Sequence, residues 1–201
     1  RTVLPRQQTL RAAIDWSYDL LDAAERHLFC TIAVFRGGFT LAALEEILDF
    51  GFGIADAPSD QAAAPGHQPP ATSHQPLALL TQLVDKSLVI VEEQGEKNRY
   101  RLLETLREYA LAQFPDAAAW QAVARGHAHF FLQWAEQAAP HLLERQQQAW
   151  LNEFEIEHAN LRAALTYWRT HAEQEQSMRL AVAVTRFWGA RGYVSEGRAW
   201  F

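Results

Sequence analysis

One stretch, Leu77 to Ala110 (LALLTQLVDKSLVIVEEQGEKNRYRLLETLREYA), limits the fold more than any other. Leu77, Leu80, Leu83 and Val84 recur at three- and four-residue spacing, which places them on one face of a helix. Asp85-Lys86-Ser87 interrupts that period. Leu88-Val89-Ile90-Val91 is a β-branched run and reads as a strand. Glu92 to Asn98 is polar and holds Gly95, so the chain can turn there. Tyr100, Leu102 and Leu103 supply a returning strand. Glu104 to Phe114 is helical again, with Leu106, Tyr109, Ala110 and Phe114 on one side and Pro115 as its stop. A helix followed by such a hairpin is the core of a winged helix-turn-helix.

The segments before it are short helices. One runs from Gln7 to about Asp19, with Leu10, Ile14, Ser17 and Tyr18 near one face. Asp22-Ala23-Ala24-Glu25 has the spacing of a capping box and opens a helix carrying Leu28, Phe29, Ile32, Ala33 and Phe35. Gly37-Gly38 ends it. Thr40 is placed to cap Leu41 to Leu48. Gly51 to Pro76 differs in kind: it holds five prolines, no apolar period and few charges, and reads as an insertion loop. His67 and His74 within it lack the further ordered ligands a metal centre needs.

Beyond Pro115 the pattern is helical throughout. Asp116 is placed to cap a helix bearing Trp120, Val123, His127, Phe130, Phe131, Trp134 and Ala138, which ends at Pro140. His127 and His129 are two apart and diverge around the helix. Trp150, Leu151 and Phe154 open the next helical stretch, continued by Ile156 to about His171. Within it Glu157-His158 reads as a polar face flanking Leu161 and Leu165. A last full helix covers about Ser177 to Ala190, Gly192 breaks it, and Tyr193 to Phe201 begins another. Antiparallel pairs with short polar joints are expected to open a helical repeat array.

Charge and composition narrow the function. The 201 residues carry a net charge of −6, and Leu20 to Phe114 alone holds thirteen Asp/Glu against seven Lys/Arg. The whole negative surplus therefore sits on the winged segment, whereas DNA binding draws on Lys and Arg that neutralise phosphates. Its presumed recognition helix offers only Gln82 and Lys86 toward bases, and its wing adds Lys97 and Arg99 among glutamates. These four are the weak DNA-contact candidates if the segment is a winged-helix DNA-binding domain. Cys30 is the single cysteine, among Leu28, Phe29 and Ile32, and reads as a buried thiol in a reducing compartment. No G-x-x-x-x-G-K-[ST], G-x-S-x-G, H-E-x-x-H or C-x-x-C run is present, and Glu45-Glu46 and Glu92-Glu93 fall on faces read as solvated. The segment thus offers no catalytic, cofactor-binding or metal residues. No apolar run approaches a membrane span and no signal peptide is visible. A start at Arg1 and an end inside an apparent helix are expected of an excerpt from a longer cytoplasmic protein.

Six blocks in order, LPRQQTLRAAIDWSYDLLDAAERHLF (Leu4 to Phe29), VFRGGFT (Val34 to Thr40), LVDKSLV (Leu83 to Val89), YRLLETLREYA (Tyr100 to Ala110), EHANLRAAL (Glu157 to Leu165) and the closing RGYVSEGRAWF, carry a resemblance. They resemble the region after the ATPase core in bacterial signal-transducing ATPases with numerous domains, among them large regulators with LuxR-type or antibiotic-regulator-type DNA-binding domains. The resemblance implies the order nucleotide-binding core, winged helix, helical linker, tetratricopeptide-like sensor repeats. It implies a winged helix that folds over the ADP-bound pocket at rest and swings out when ATP and inducer bind, permitting oligomerisation. Related switch ATPases carry a Met-His-Asp motif whose His approaches the nucleotide phosphate. The matching positions are Leu102, Leu103 and Glu104, so the acid is kept in kind while Leu103 cannot donate a hydrogen bond.

The expected fold is mainly α: a winged helix-turn-helix with a small β-hairpin wing, then an antiparallel α-helical, tetratricopeptide-like region. Residues 1–19 are expected to lead out of an absent ATPase core, 20–115 to form the winged-helix domain with 51–76 as insertion, and 116–201 to form the linker and first repeats. Leu102, Leu103 and Glu104 are the candidate switch or docking residues. No cofactor is expected in this chain, ATP or ADP belonging to the absent core. The expected partners are that core and the sensor repeats, with homo-oligomerisation of the full-length protein, no membrane, and direct nucleic-acid binding disfavoured.

Overall fold

The computed structural model describes residues 5–51, 75–94 and 97–201, mainly α-helical with a small antiparallel sheet. His67, His74 and most of the Pro-rich stretch lie outside the described residues. The chain divides into two compact units. The first comprises residues 1–34 and 38–119, the second Trp120–Phe201 together with the short segment Phe35–Gly37.

In the first unit α1 spans Pro5–Asp19 and α2 Ala23–Thr31, followed by a 3₁₀ turn at Ile32–Val34. The capping box is present in both directions: the Glu25 N–H donates to Asp22 Oδ1 and the Asp22 N–H to Glu25 Oε2, each at 2.8 Å. These bonds satisfy orphan donors of the first helical turn. α3 spans Leu41–Gly51 and α4 Gln75–Asp85, so helix enters both ends of the expected insertion. The Ala43 N–H donates to Thr40 Oγ1 at 3.2 Å, the cap its sequence position suggests. Leu28, Phe29, Ile32, Phe39, Leu44, Leu80 and Leu83 are fully buried and form the core. Each contributes about 1.5–3 kcal/mol of apolar burial.

The hairpin begins later than the β-branched run suggests. β1 is Ile90–Gln94 and β2 Lys97–Arg101, paired antiparallel from Ile90 opposite Arg101 to Gln94 opposite Lys97. Leu88 and Val89 are taken up by the end of α4. Ser87 sits at φ +58°, its N–H bonds the Val84 carbonyl at 2.8 Å, and the Leu88 N–H bonds the Leu83 carbonyl at 2.9 Å. This is a Schellman closure with serine where glycine is usual, and it sends Leu88 and Val89 into the core. Phe39 and Tyr100 exchange two 2.8 Å backbone bonds, adding a single-residue bridge to the free edge of β2. Leu102 and Leu103 follow the sheet rather than belonging to it. Leu103 is the N-cap of α5 (Glu104–Ala112), with no side-chain cap bond.

α6 (Ala117–Ala138) opens with the Ala119 N–H donating to Asp116 Oδ1 at 2.7 Å, as the sequence suggests. A 3₁₀ segment, Ala139–Leu143, follows; then come α7 (Gln147–Thr170), α8 (Gln174–Arg191) and α9 (Val194–Trp200). Within the second unit Phe131, Phe154, Leu161, Leu165, Val184, Phe187 and Trp188 form the core, with Phe154 and Phe187 stacked at 5.6 Å. Gly192, at φ +83°, caps α8 and lets the Tyr193 N–H reach the Trp188 carbonyl at 2.8 Å. α9 then docks by Glu196, which accepts from His158 at 3.0 Å and Arg162 at 3.2 Å. A Cβ at Gly197 would lie 2.9 Å from the Trp188 ring, so the closing motif needs glycine there.

Candidate functional site

Four side chains were the sequence candidates for reading DNA, and the structure places three of them. Gln82 is exposed on α4. The Lys86 ammonium is paired with Glu25, the capping-box acid, which is nearly buried. The Arg99 guanidinium is buried and its Nη2 donates to the Gly38 carbonyl at 3.0 Å. The side chain of Lys97 lies outside the described residues. Lys86 and Arg99 thus hold elements together. Gln82 stands beside exposed Thr81 and Asp85, and the cation one turn on from it, Lys86, is the one paired with Glu25.

Leu102, Leu103 and Glu104 lie at the mouth of α5. Leu103 is 45 % exposed and its extended backbone (φ −62°, ψ 145°) turns the chain into the helix. Glu104 receives Arg107 Nε at 3.0 Å and Nη2 at 2.7 Å, a bidentate pair one turn apart. The Arg107 side chain is itself buried, and its Nη1 donates to the Ala33 carbonyl at 3.3 Å. Glu104 therefore orients the arginine that closes the end of the 3₁₀ turn, besides carrying negative charge at a helix N-terminus. Its carboxylate is well exposed, so Glu104→Gln is expected to lower the first unit's stability by less than about 1 kcal/mol in urea titration.

Sequence reading missed a buried polar cluster in the second unit. Asn160 is fully buried. Its Oδ1 accepts the Arg36 backbone N–H at 2.7 Å, its Nδ2 donates to Glu157 Oε2 at 2.7 Å, and His127 Nε2 lies 3.3 Å from Oδ1. The Glu157 bond fixes which end of the amide is oxygen, so the His127 proton resides on Nε2. Burial pushes His127 down to about 4 and keeps it neutral. Glu157 and His158 are therefore not a solvated polar face: both are buried, one bonded to Asn160 and the other to Glu196. The signal available in the sequence was Asn160 itself, in register with Leu161 and Ala164 yet polar.

Cys30 is buried beside Tyr18, and burial pushes its thiol up to about 11, which leaves little thiolate for chemistry. Among the described residues no group of three or more His, Cys, Asp or Glu could hold a metal ion, and no helix is long and apolar enough to cross a membrane. The second unit also carries a surface groove of about 760 Å³ lined by Ala139, Pro140, Leu143, Met178, Val182 and Ala183. Its rim holds the bidentate Arg179–Glu136 pair, both bonds 2.8 Å.

The chain is 36% identical over all 201 residues to proteins of Mycobacterium bovis and Mycobacterium tuberculosis, each named "Putative HTH-type transcriptional regulator". The likeness runs from end to end of the chain. It supports kinship with that regulator family. The chain spans 20% of the length of those regulators. A second relative, an uncharacterized protein of M. tuberculosis, is 35% identical over 117 residues, covering 58% of this chain and 25% of that protein. No family model matches the chain, and no solved structure matches it significantly.

Proposed function

We propose that this chain is a non-catalytic regulatory region of a large transcriptional regulator, its first unit a winged helix that acts as an intramolecular switch rather than a DNA reader. The observation that carries the reading is that Lys86 and Arg99 are both bonded within the first unit. The basic groups a DNA reader would turn toward phosphate are bonded to Glu25 and to the Gly38 carbonyl. The order of α2, the Phe39 bridge, α3, α4 and the β1–β2 hairpin supports the winged-helix reading. The α7–α8–α9 succession, with α9 seated by Glu196 and Gly197, supports the start of a tetratricopeptide-like array. In this reading ATP or ADP binds a core outside the chain, Leu103 and the Glu104–Arg107 pair form the face that meets it, and the sensor repeats continue from α9. The setting is the cytoplasm, and oligomerisation belongs to the whole protein.

The relatives' name supports a second reading, in which the first unit itself binds DNA through Gln82, Lys86, Lys97 and Arg99. Fluorescence anisotropy of the purified chain against random-sequence duplex at low salt separates the two. The switch reading expects no saturable binding at tens of micromolar protein. A dissociation constant near 1 μM with a steep salt dependence would establish the DNA-binding reading instead. Micromolar ATP binding by this chain alone would overturn the assignment of nucleotide to a separate core.

A further inference from the structure

α8 is apolar on two sides. Leu180, Ala181, Val184, Phe187 and Trp188 are buried in the core of the second unit. On another face Met178 is 48 % exposed and Val182 61 %, one helical turn apart. Leu143, at the end of the 3₁₀ segment, is 69 % exposed. With Ala139 and Pro140 these side chains line the groove of about 760 Å³, which lies wholly within the second unit. An exposed apolar patch rimmed by charge marks an interaction site.

The charges along the groove point to its occupant. Glu175 stands in the first turn of α8 and Arg186 about three turns further on, and both are exposed and line the groove. The Glu175 carboxylate has no hydrogen bond or ion pair among the described residues. Arg186 Nε donates to the Leu142 carbonyl at 2.8 Å, and no carboxylate pairs with its charge among the described residues. Between them Arg179 is held by Glu136 through two 2.8 Å bonds, so the middle of the groove is neutral. Along α8 the order is therefore acid, apolar pair, base. A partner of one charge sign would meet its own kind at one end of that order. A two-fold axis crossing α8 near residue 180 instead turns the order into its own complement. It lays Met178 of one chain on Val182 of a second copy and sets Glu175 against Arg186, twice over.

We propose that this face of the second unit is a self-association site, in which α8 of one chain lies antiparallel on α8 of a second copy. Leu143 of each chain closes the side of the contact. The pairing is isologous and closed, so it yields dimers rather than fibres. Burial of Met178, Val182 and Leu143 drives it, and the rim charges fix its direction and register more than its strength. It requires no nucleotide and is independent of how the first unit acts.

Sedimentation velocity of the full 201-residue chain over a concentration series tests this. The 22.8 kDa chain is expected to move toward twice that mass with a dissociation constant of about 10–100 μM, as suits a small interface. A chain that stays monomeric well above that range overturns the proposal and leaves the groove to another partner. Val182→Lys, at an exposed position, is expected to weaken the dimer at least about tenfold with an unchanged melting temperature. A dimer as tight as wild type in that variant puts the contact elsewhere and overturns the proposal. Glu175→Lys and Arg186→Glu are each expected to weaken it about tenfold, since every change counts twice across the axis. Mixed in equal amounts, these two variants are expected to pair with each other as tightly as wild type, because both contacts are again opposite in charge. A mixture as monomeric as its components overturns the antiparallel arrangement. Where Arg186→Glu does not fold for want of its Leu142 bond, Glu175→Lys alone decides. A loosened dimer then supports the arrangement, and one as tight as wild type overturns it.

Discussion

Gly38→Ala is expected to lower the stability of the first unit by about 3 kcal/mol or more, while Gly37→Ala costs roughly half as much. Both glycines have positive φ, +76° at Gly37 and +99° at Gly38, so both substitutions carry the left-handed penalty of an L-residue. They differ in what a methyl would meet. At Gly37 the nearest atom is the Ala159 methyl at 3.4 Å, an ordinary contact. At Gly38 it is the Tyr100 carbonyl oxygen at 2.8 Å, with Arg99 Nε at 3.1 Å. That oxygen already accepts the Phe39 N–H, and the Arg99 guanidinium already donates to the Gly38 carbonyl. The oxygen cannot withdraw without breaking the bridge between Phe39 and β2, nor the guanidinium without losing the Gly38 carbonyl. Urea midpoints of the two variants check the ranking. Equal losses at the two glycines would remove the backbone-contact account.

Acid is expected to weaken the second unit by roughly 3 kcal/mol between pH 6.5 and pH 4. The folded His127 titrates near 4 because its ring is wholly buried, against 6.5 for an ordinary histidine. A depressed histidine keeps the folded state from taking a proton that the unfolded chain binds readily. Stability is thus full above pH 6.5 and falls as the pH drops toward 4. His129 shifts in the same direction, through burial and its neighbours Arg125 and Arg179, and adds to the same trend. Urea unfolding followed by a probe in the second unit, at pH 7, 5.5 and 4.5, measures the slope. His127→Phe is expected to remove most of it, and a variant with an unchanged slope would show that another group titrates.

The local signals in the sequence transferred well to the structure where a short-range rule decides the outcome. Asp22 and Glu25, Thr40 and Asp116 cap as their spacing suggests, because a cap involves residues only three apart. Gly192 ends α8 for the same reason. The β-branched run Leu88–Val91 misled by two residues, because Ser87 took the left-handed position and the helix cap claimed Leu88 and Val89 before pairing could begin. Glu157 and His158 misled more seriously. Periodicity assigns polar residues to solvent, whereas these meet Asn160 and Glu196, three and thirty-eight residues away. The pairing of Lys86 with Glu25 spans sixty-one residues and has no sequence signature at all. What the charge count suggested for the winged segment rested on totals, while the geometry concerns where individual cations are bonded.

The Phe35–Gly37 segment, packed with the second unit, also sets an order of events during synthesis. Arg36 precedes Asn160 by 124 residues. At translation rates of about 5–20 residues per second, Arg36 is made roughly 6–25 seconds before Asn160. The first unit can close around its own core in that interval, since small domains fold in well under a second. Phe35 lacks its ring partners His127 and Phe131 until α6 is made. The second unit is completed by a piece of chain made long before the rest of it. Packing of Phe35–Gly37 with α6 and α7 thus comes after the first unit's residues are made, while α8 and α9 are still to follow.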